Sequence, residues 1–157
     1  MGEVHEQASV RDWSRLLGKS FAAVTGRPLL AGYAPDDPDF ARQLFLSPLP
    51  LVSHGTGADP IFCYANRAAL TLWAMDWEAF TRLPSRLSAE DDPDIQRDRN
   101  RFLQQAAERG WVSDYTGIRK AADGRRFRIG ETVLWTIRDA DGQPRGQAAL
   151  IGKVTPL

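Results

Sequence analysis

The sequence lacks several features on which common classes of protein function depend. Cys63 is its single cysteine, which excludes an internal disulfide and a thiolate metal cluster within one chain. Lysine plus arginine and aspartate plus glutamate are balanced at 20 each, so no net charge attracts nucleic acid or an anionic membrane surface. There is no apolar run long enough to span a bilayer and no signal peptide in the first residues. We therefore predict a cytoplasmic protein without nucleic-acid or membrane partners.

Sequence motifs for catalysis and metal binding are missing as well. Ser53 precedes His54, but neighbours in a strand point to opposite faces and cannot form the hydrogen bond of a Ser-His pair. The acidic run at residues 89–94 lacks the alternating aspartates and the glycine of a calcium loop. Residues 55–57, Gly-Thr-Gly, lack the Lys-Ser/Thr of a phosphate-binding loop. We predict no catalytic residues and no metal ligands, and we do not expect an enzyme.

The first third of the chain predicts a helical flank. From Val10 to Val24 apolar residues recur at spacings of three and four with charged residues between them, which is typical of an amphipathic helix. A second, shorter helix is predicted a few residues before Pro48, which marks a boundary. We predict an N-terminal helical flank over residues 1–47 and one domain over residues 48–157.

The stretch Ile61–Trp73 changes from strand to helix at a single asparagine. Phe62 and Tyr64 favour a strand, and the alanines and leucines after Asn66 favour a helix. Asn66 is predicted to be the N-cap, because its side-chain oxygen can accept from a free N–H of the first helical turn. Residues 51–54 are predicted to form a strand antiparallel to the one before Asn66.

After a helix over Asp94–Arg109, the sequence period changes to two. Strands are predicted over residues 111–119, 125–138 and 146–154, joined by Asp-Gly turns. In the long middle strand the large apolar residues share one parity: Phe127, Ile129, Val133, Trp135 and Ile137. Glu131 has the same parity and follows Gly130. Either Glu131 points inward as a polar group, or Gly130 marks a β-bulge that shifts the register, which we favour.

Several short segments resemble a known family. They are Val52–Thr56, Asp59–Phe62, Tyr64–Leu70, Arg82–Ser88 and Gly124–Ile129. These segments are similar to the MEKHLA domain, a PAS-like family, and to its stand-alone bacterial members in particular. The resemblance implies an α+β fold: a PAS-like five-stranded antiparallel sheet with short helices over one face and an N-terminal helical flank. It also implies sensing or protein–protein regulation rather than catalysis, and it does not supply a ligand.

Two PAS subtypes with defined cofactors are not matched by the residues present. A flavin-photosensing member needs a reactive cysteine in an Asn-Cys-Arg-Phe motif at the start of a helix, whereas Cys63 lies in a predicted strand and precedes Tyr64. A haem-binding member usually takes its axial histidine from the helical region, and no histidine lies between Asn66 and Gly110. The cofactor is therefore left unknown.

The aromatic residues of the domain indicate where a ligand would bind. A sheet face lined by large rings under short helices can enclose an apolar cavity, although the same rings can also fill a core. The residues expected around such a cavity are Tyr64, Arg67, Trp73, Tyr115 and Glu131, with His54 at its mouth. We predict a sensor or interaction module that binds a small ligand or a protein partner on its concave sheet face. The alternative is a ligand-free homodimer in which the amphipathic N-terminal helix, Trp13 through Val24, packs against a second copy.

Overall fold

The structure, a computed structural model, describes residues 3–157. Its helices and strands follow the order predicted from the sequence. The helices are α1 (Ala8–Thr25), α2 (Phe40–Leu46), α3 (Arg67–Trp73), α4 (Trp77–Phe80) and α5 (Pro93–Arg109), with short 3-10 turns at Val4–Glu6 and Ser85–Ser88. The strands are β1 (Leu51–His54), β2 (Phe62–Ala65), β3 (Trp111–Lys120), β4 (Arg126–Arg138), β5 (Pro144–Leu150) and β6 (Lys153–Pro156).

The strands form one antiparallel sheet in the order β2-β1-β5-β4-β3. β6 pairs with the first half of β4 and β5 pairs with its second half, so β5 and β6 together occupy one position in the sheet. The predicted last strand, residues 146–154, is therefore interrupted at Ile151 and Gly152. A side chain at Gly152 would lie 2.4 Å from the carbonyl oxygen of Glu131, so the two strands approach too closely there for any other residue.

Both faces of the sheet are covered. Helices α3, α4 and α5 cover one face, where Trp73, Phe80 and Phe127 belong to a buried cluster. Helix α1 lies on the opposite face, where Leu17 and Phe21 pack with Trp135. The prediction of helices over one face and a helical flank is confirmed, and the sequence did not indicate that the flank forms the second layer.

The contacts of α1 with the sheet are specific. The indole N–H of Trp13 donates to Ser53 Oγ at 2.8 Å, and the indole N–H of Trp135 donates to Ser20 Oγ at 3.0 Å. The rings of Phe21 and Trp135 meet edge to face, with centroids 5.0 Å apart. The apolar side of α1, which the homodimer alternative assigned to a second copy, is thus buried within the same chain.

A β-bulge in β4 divides its apolar residues between the two faces. Tyr115 of β3 pairs with Thr132 and Gly117 pairs with Ile129, which leaves one extra residue in β4 around Glu131. Glu131 has a left-handed backbone, with φ of 49°, and its side chain is exposed. The bulge that we favoured is therefore present, and the single apolar parity predicted for this strand is wrong. Phe127 and Ile129 face α3–α5, whereas Val133, Trp135 and Ile137 face α1.

Asn66 connects the start of α3 to two other segments. Its Oδ1 accepts from the backbone N–H of Ala69 at 3.1 Å, which is the geometry of an N-cap, and from that of Leu51 at 3.0 Å. Its Nδ2 donates to the carbonyl oxygen of Leu49 at 2.8 Å. The side chain is fully buried, so these bonds fix α3 against the edge of β1.

Candidate functional site

A cavity lies between the sheet and the helices that cover its α3–α5 face. Strands β1, β3, β4 and β5 form its floor, while α3, α5 and the 3-10 turn Ser85–Ser88 close it from the other side. Its free volume is about 40 Å³, which is room for a few water molecules, so a larger molecule enters only when the covering helices move outward. Most of its lining is apolar, and it includes Val52, Phe62, Leu103, Ile129 and Leu134.

Two arginines lie in the wall of this cavity. Arg99 comes from α5 and is 7% exposed, and Arg119 comes from β3 and is 3% exposed. Arg99 Nη2 donates to Ser85 Oγ at 2.6 Å. Arg119 Nη1 donates to the carbonyl oxygen of Ile118 at 2.8 Å, and Nη2 donates to the hydroxyl of Tyr115. Both cations are therefore held by neutral acceptors.

Neither arginine has a carboxylate partner within residues 3–157. The ion pairs there are formed by other cations, and the acid that acts most on Arg99, Asp59, is bound to Arg86 at 3.1 Å on the surface. Burial lowers the pKa of Arg99, and repulsion by Arg119 acts in the same direction, while Tyr115 and Asp59 raise the pKa. A guanidinium stays protonated in proteins, so the site holds two desolvated positive charges.

His54 presents a free acceptor to the same cavity. Its Nδ1 donates to the carbonyl oxygen of Gly55 at 2.9 Å, which leaves the hydrogen on Nδ1 and a lone pair on Nε2. The ring is 8% exposed, and Nε2 is buried without a hydrogen-bond partner in the part of the chain that the structure describes. Burial lowers the pKa of His54, with a further contribution from Arg99, and the bond to Gly55 acts in the opposite direction. The ring is thus neutral at neutral pH, and Nε2 can accept a hydrogen bond from a bound molecule.

A sequence model of the MEKHLA domain family matches residues 11–156. This chain belongs to the MEKHLA domain family. The match covers almost the whole chain, including most of α1, and confirms the resemblance that the short motifs carried. No curated protein is similar enough in sequence to be matched.

Solved structures with this fold are PAS and light-oxygen-voltage (LOV) domains. The PAS domain of a protein from Colwellia psychrerythraea is 15% identical with a TM-score of 0.62, and the alignment covers 73% of the MEKHLA chain and 93% of that chain. An RNA-binding LOV receptor is 21% identical with a TM-score of 0.63, over 82% of the MEKHLA chain and 36% of the receptor. The LOV domain of a blue-light activated histidine kinase from Erythrobacter litoralis EL346 is 18% identical with a TM-score of 0.53, over 70% and 96%. These likenesses confirm the PAS-like fold.

The structure brings three of the predicted site residues together. His54, Trp73 and Tyr115 all line the cavity of the MEKHLA domain. Trp73 is oriented by a hydrogen bond from its indole N–H to the carbonyl oxygen of Ser88 at 3.2 Å. The ring of Tyr115 packs edge to face against Phe102, with centroids 5.2 Å apart.

The other three predicted residues do not reach the cavity. Tyr64 lies on the α1 face because of a bulge in β2. Ser53 pairs with Tyr64 and His54 pairs with Phe62, so Cys63 is an extra residue that reverses the alternation of side chains in β2. Arg67 is the first residue of α3 and is exposed, and Glu131 is exposed because of the bulge in β4. All three corrections concern which way a side chain points, not which element it belongs to.

The polar residues of the cavity that sequence reasoning missed are Ser85, Arg99 and Arg119. A signal for Arg99 was available, because Ile95, Arg99, Phe102 and Ala106 are spaced by four, three and four on the apolar side of α5. A charged residue on such a stripe must be buried or must bend to the surface, and here it is buried. Arg119 likewise shares the parity of Tyr115 in β3.

The described residues offer neither a metal site nor a membrane-spanning helix. Within residues 3–157 no group of three histidine, cysteine, aspartate or glutamate side chains is arranged to hold a metal ion. No helix there is both long and apolar enough to cross a membrane.

Proposed function

We propose that this MEKHLA domain is a cytoplasmic sensory module that binds a small molecule in the cavity between its sheet and helices α3 and α5, without catalysing a reaction. The observation that carries the proposal is a cavity in an otherwise filled core whose wall holds buried polar groups without full partners. Buried polar groups in native proteins are nearly always satisfied, so each exception needs an explanation. A bound ligand supplies one.

The distribution of polar groups also favours a binding site over an imperfectly packed core. A core is stabilised by apolar side chains, and removing Arg99, Arg119 and the free lone pair of His54 from water lowers its stability. Ligand sites combine an apolar lining with a few polar groups that fix orientation, and the cavity has this composition. The family and the PAS/LOV fold together indicate a sensory module, which agrees with this proposal.

The elements that meet at the cavity provide a route from binding to output. Arg99 lies on α5 and Ser85 on the preceding 3-10 turn, while His54 and Arg119 belong to the sheet. A ligand that contacts all four joins the helical layer to the sheet and stabilises their docked arrangement. A protein partner that contacts α5 would then distinguish the two states.

Filling the cavity with a larger side chain tests this proposal. Ala149 is buried in β5 and lines the cavity, so Ala149→Phe occupies the space that the ligand needs. Wild-type protein purified from its own host is expected to carry one small molecule in native mass spectrometry, and Ala149→Phe is expected to carry none. The matched control is Ala23→Phe on the exposed side of α1, which should keep the molecule.

A ligand-free wild-type spectrum would contradict the proposal, as would a folded Ala149→Phe protein that retains the same molecule. Circular dichroism establishes that the variant is folded, because overpacking costs about 1–3 kcal/mol and can unfold a marginal domain.

A further inference from the structure

The chemical class of the ligand can be inferred from the charges in the cavity wall, on the basis of the function proposed above. Arg99 and Arg119 bring two guanidinium groups to one apolar cavity, and both are more than nine-tenths buried. Residues 3–157 offer no carboxylate to either of them. A buried cation is strongly unfavourable unless an anion and hydrogen-bond acceptors surround it.

The hydrogen bonds already made leave donors available. A guanidinium has five N–H groups. Arg99 has one side-chain acceptor, Ser85 Oγ, and Arg119 has two acceptors, the Ile118 carbonyl and the Tyr115 hydroxyl. The remaining N–H groups can bind the oxygens of an anion that enters the cavity.

The position of Arg119 depends on a glycine beside it. A side-chain carbon at Gly117 would lie 2.7 Å from Arg119 Nη1, so the guanidinium folds back over a part of β3 that has no side chain. Arg119 also stacks on Tyr115, with the guanidinium carbon 5.3 Å from the ring centroid. These contacts hold the cation inside the fold instead of letting it extend to solvent.

The rest of the lining defines the body of the ligand. Phe62, Trp73, Leu103, Ile129 and Leu134 surround the space beyond the arginines, so the ligand has an apolar part. A carboxylate matches this arrangement, since its two oxygens pair in plane with guanidinium groups and it introduces a single negative charge. We infer that the cavity binds a small organic carboxylate, with its carboxylate held by Arg99 and Arg119 and its apolar body against Phe62, Trp73 and Leu134. His54 Nε2 would accept from a hydroxyl or N–H group on that body.

Matched pairs of compounds test the inferred charge. Ligand-free protein, prepared by unfolding and refolding, is titrated with hexanoate, octanoate and 3-phenylpropionate and with the primary amide of each, and the melting temperature is followed. The carboxylates are expected to raise the melting temperature with increasing concentration, because they bind the folded state, and the amides are expected to have little effect. Inorganic phosphate alone is included as a test for binding of charge without an apolar body.

Variants at the two arginines test whether their guanidinium groups bind the carboxylate. Arg99→Met and Arg119→Met are expected to weaken carboxylate binding at least tenfold in Kd, about 1.4 kcal/mol. The ligand-free melting temperature of Arg99→Met is expected to be unchanged or higher, since an unpaired buried charge is removed, and a merely structural arginine would lower it. Arg101→Met is the control, because Arg101 lies on the same helix but is exposed and paired with Asp98. If Arg99→Met does not fold, the Kd for the carboxylate is measured with Arg99→Lys, which keeps the positive charge.

The outcomes separate this inference from the proposed function. Equal stabilisation by amides, equal stabilisation by phosphate, or an uncharged molecule bound in protein from the host would overturn the carboxylate assignment and leave a sensory ligand site in place. Unchanged carboxylate affinity in both arginine variants would also overturn it. The absence of any bound molecule in protein from the host, together with no response to the whole series, would overturn both.

Discussion

Asn66 shows how much one residue can determine when its side chain is buried. The sequence predicted an N-cap from the change of period at this position, and the side chain has that geometry toward Ala69. The further bonds to Leu51 and Leu49 could not be predicted, because they depend on where the preceding loop passes. A local motif predicts local bonds only.

Removing the Asn66 side chain should therefore cost more than the loss of a cap. In Asn66→Ala the cap is lost, worth about 1 kcal/mol. The buried N–H of Leu51 and the half-buried carbonyl of Leu49 also lose their partner, at about 1–3 kcal/mol. We expect a destabilisation of about 2–4 kcal/mol in urea unfolding. Asp76→Ala is the control, because Asp76 caps α4 with the same bond to Ala79 at 2.8 Å but is exposed, and it should cost about 1 kcal/mol. Equal losses for the two variants would refute the bridging role.

His54 should make the stability of the ligand-free protein depend on pH. Burial lowers the pKa of His54, helped by the positive charge of Arg99, so in the folded state the ring resists protonation. Its contribution to stability is fully present above the unfolded pKa of about 6.5 and is lost as the pH falls from there through the lower folded pKa. The sign follows because the unfolded chain binds the proton first.

The measurement compares wild type with His54→Gln, which does not titrate. The effects of other titrating groups cancel in the difference between the two melting temperatures. As the pH is lowered from about 8 to about 5.5, the melting temperature of the wild type should therefore fall relative to that of the variant. A difference that stays constant over this pH interval would show that burial does not lower the pKa of His54.

At the scale of elements, the sequence predicted most helices and strands but misplaced side chains at two bulges. The extra residue at Cys63 reverses the alternation in β2, and the one around Glu131 reverses it in β4. Each bulge is a property of a pair of strands, since it appears only when the register with the partner is known. Tyr64 and Glu131 were assigned to the cavity by strand parity alone, and both were misplaced for this reason.

The packing of α1 on α2 gives a prediction that opposes helix propensity. In an isolated helix, replacing Gly18 with alanine would stabilise by about 1 kcal/mol. Here the added carbon would lie 2.7 Å from Cζ of Phe40 and 2.9 Å from Cγ of Pro35, and Phe40 is buried. We expect Gly18→Ala to destabilise the protein by about 1–3 kcal/mol in urea unfolding.

The control for this variant is Gly55→Ala. Nothing lies within 4 Å of a side-chain carbon at that position, so the change should stay within about 0.5 kcal/mol. A stabilised Gly18→Ala protein would mean that α1 and α2 do not pack as closely as described.

At the scale of the molecule, the sheet separates two layers with different roles. The α1 layer is filled by aromatic and aliphatic side chains and is joined to the sheet by two indole hydrogen bonds. The α3–α5 layer contains the cavity, with the unpartnered Nε2 of His54 and the two buried arginines in its wall. Among the described residues, the buried hydroxyl of Tyr64 on the α1 face also lacks a hydrogen-bond partner. The sequence predicted an aromatic-lined cavity and three of its residues, but not its cationic character, because neither Arg99 nor Arg119 was among the predicted site residues.

Whether the cavity holds a ligand is decided by the native mass spectrum of wild-type protein purified from its own host. We expect one small molecule per chain which, after release, is an organic carboxylate. A folded protein that carries no molecule in its own host would contradict the claim that this MEKHLA domain is a ligand-binding sensor.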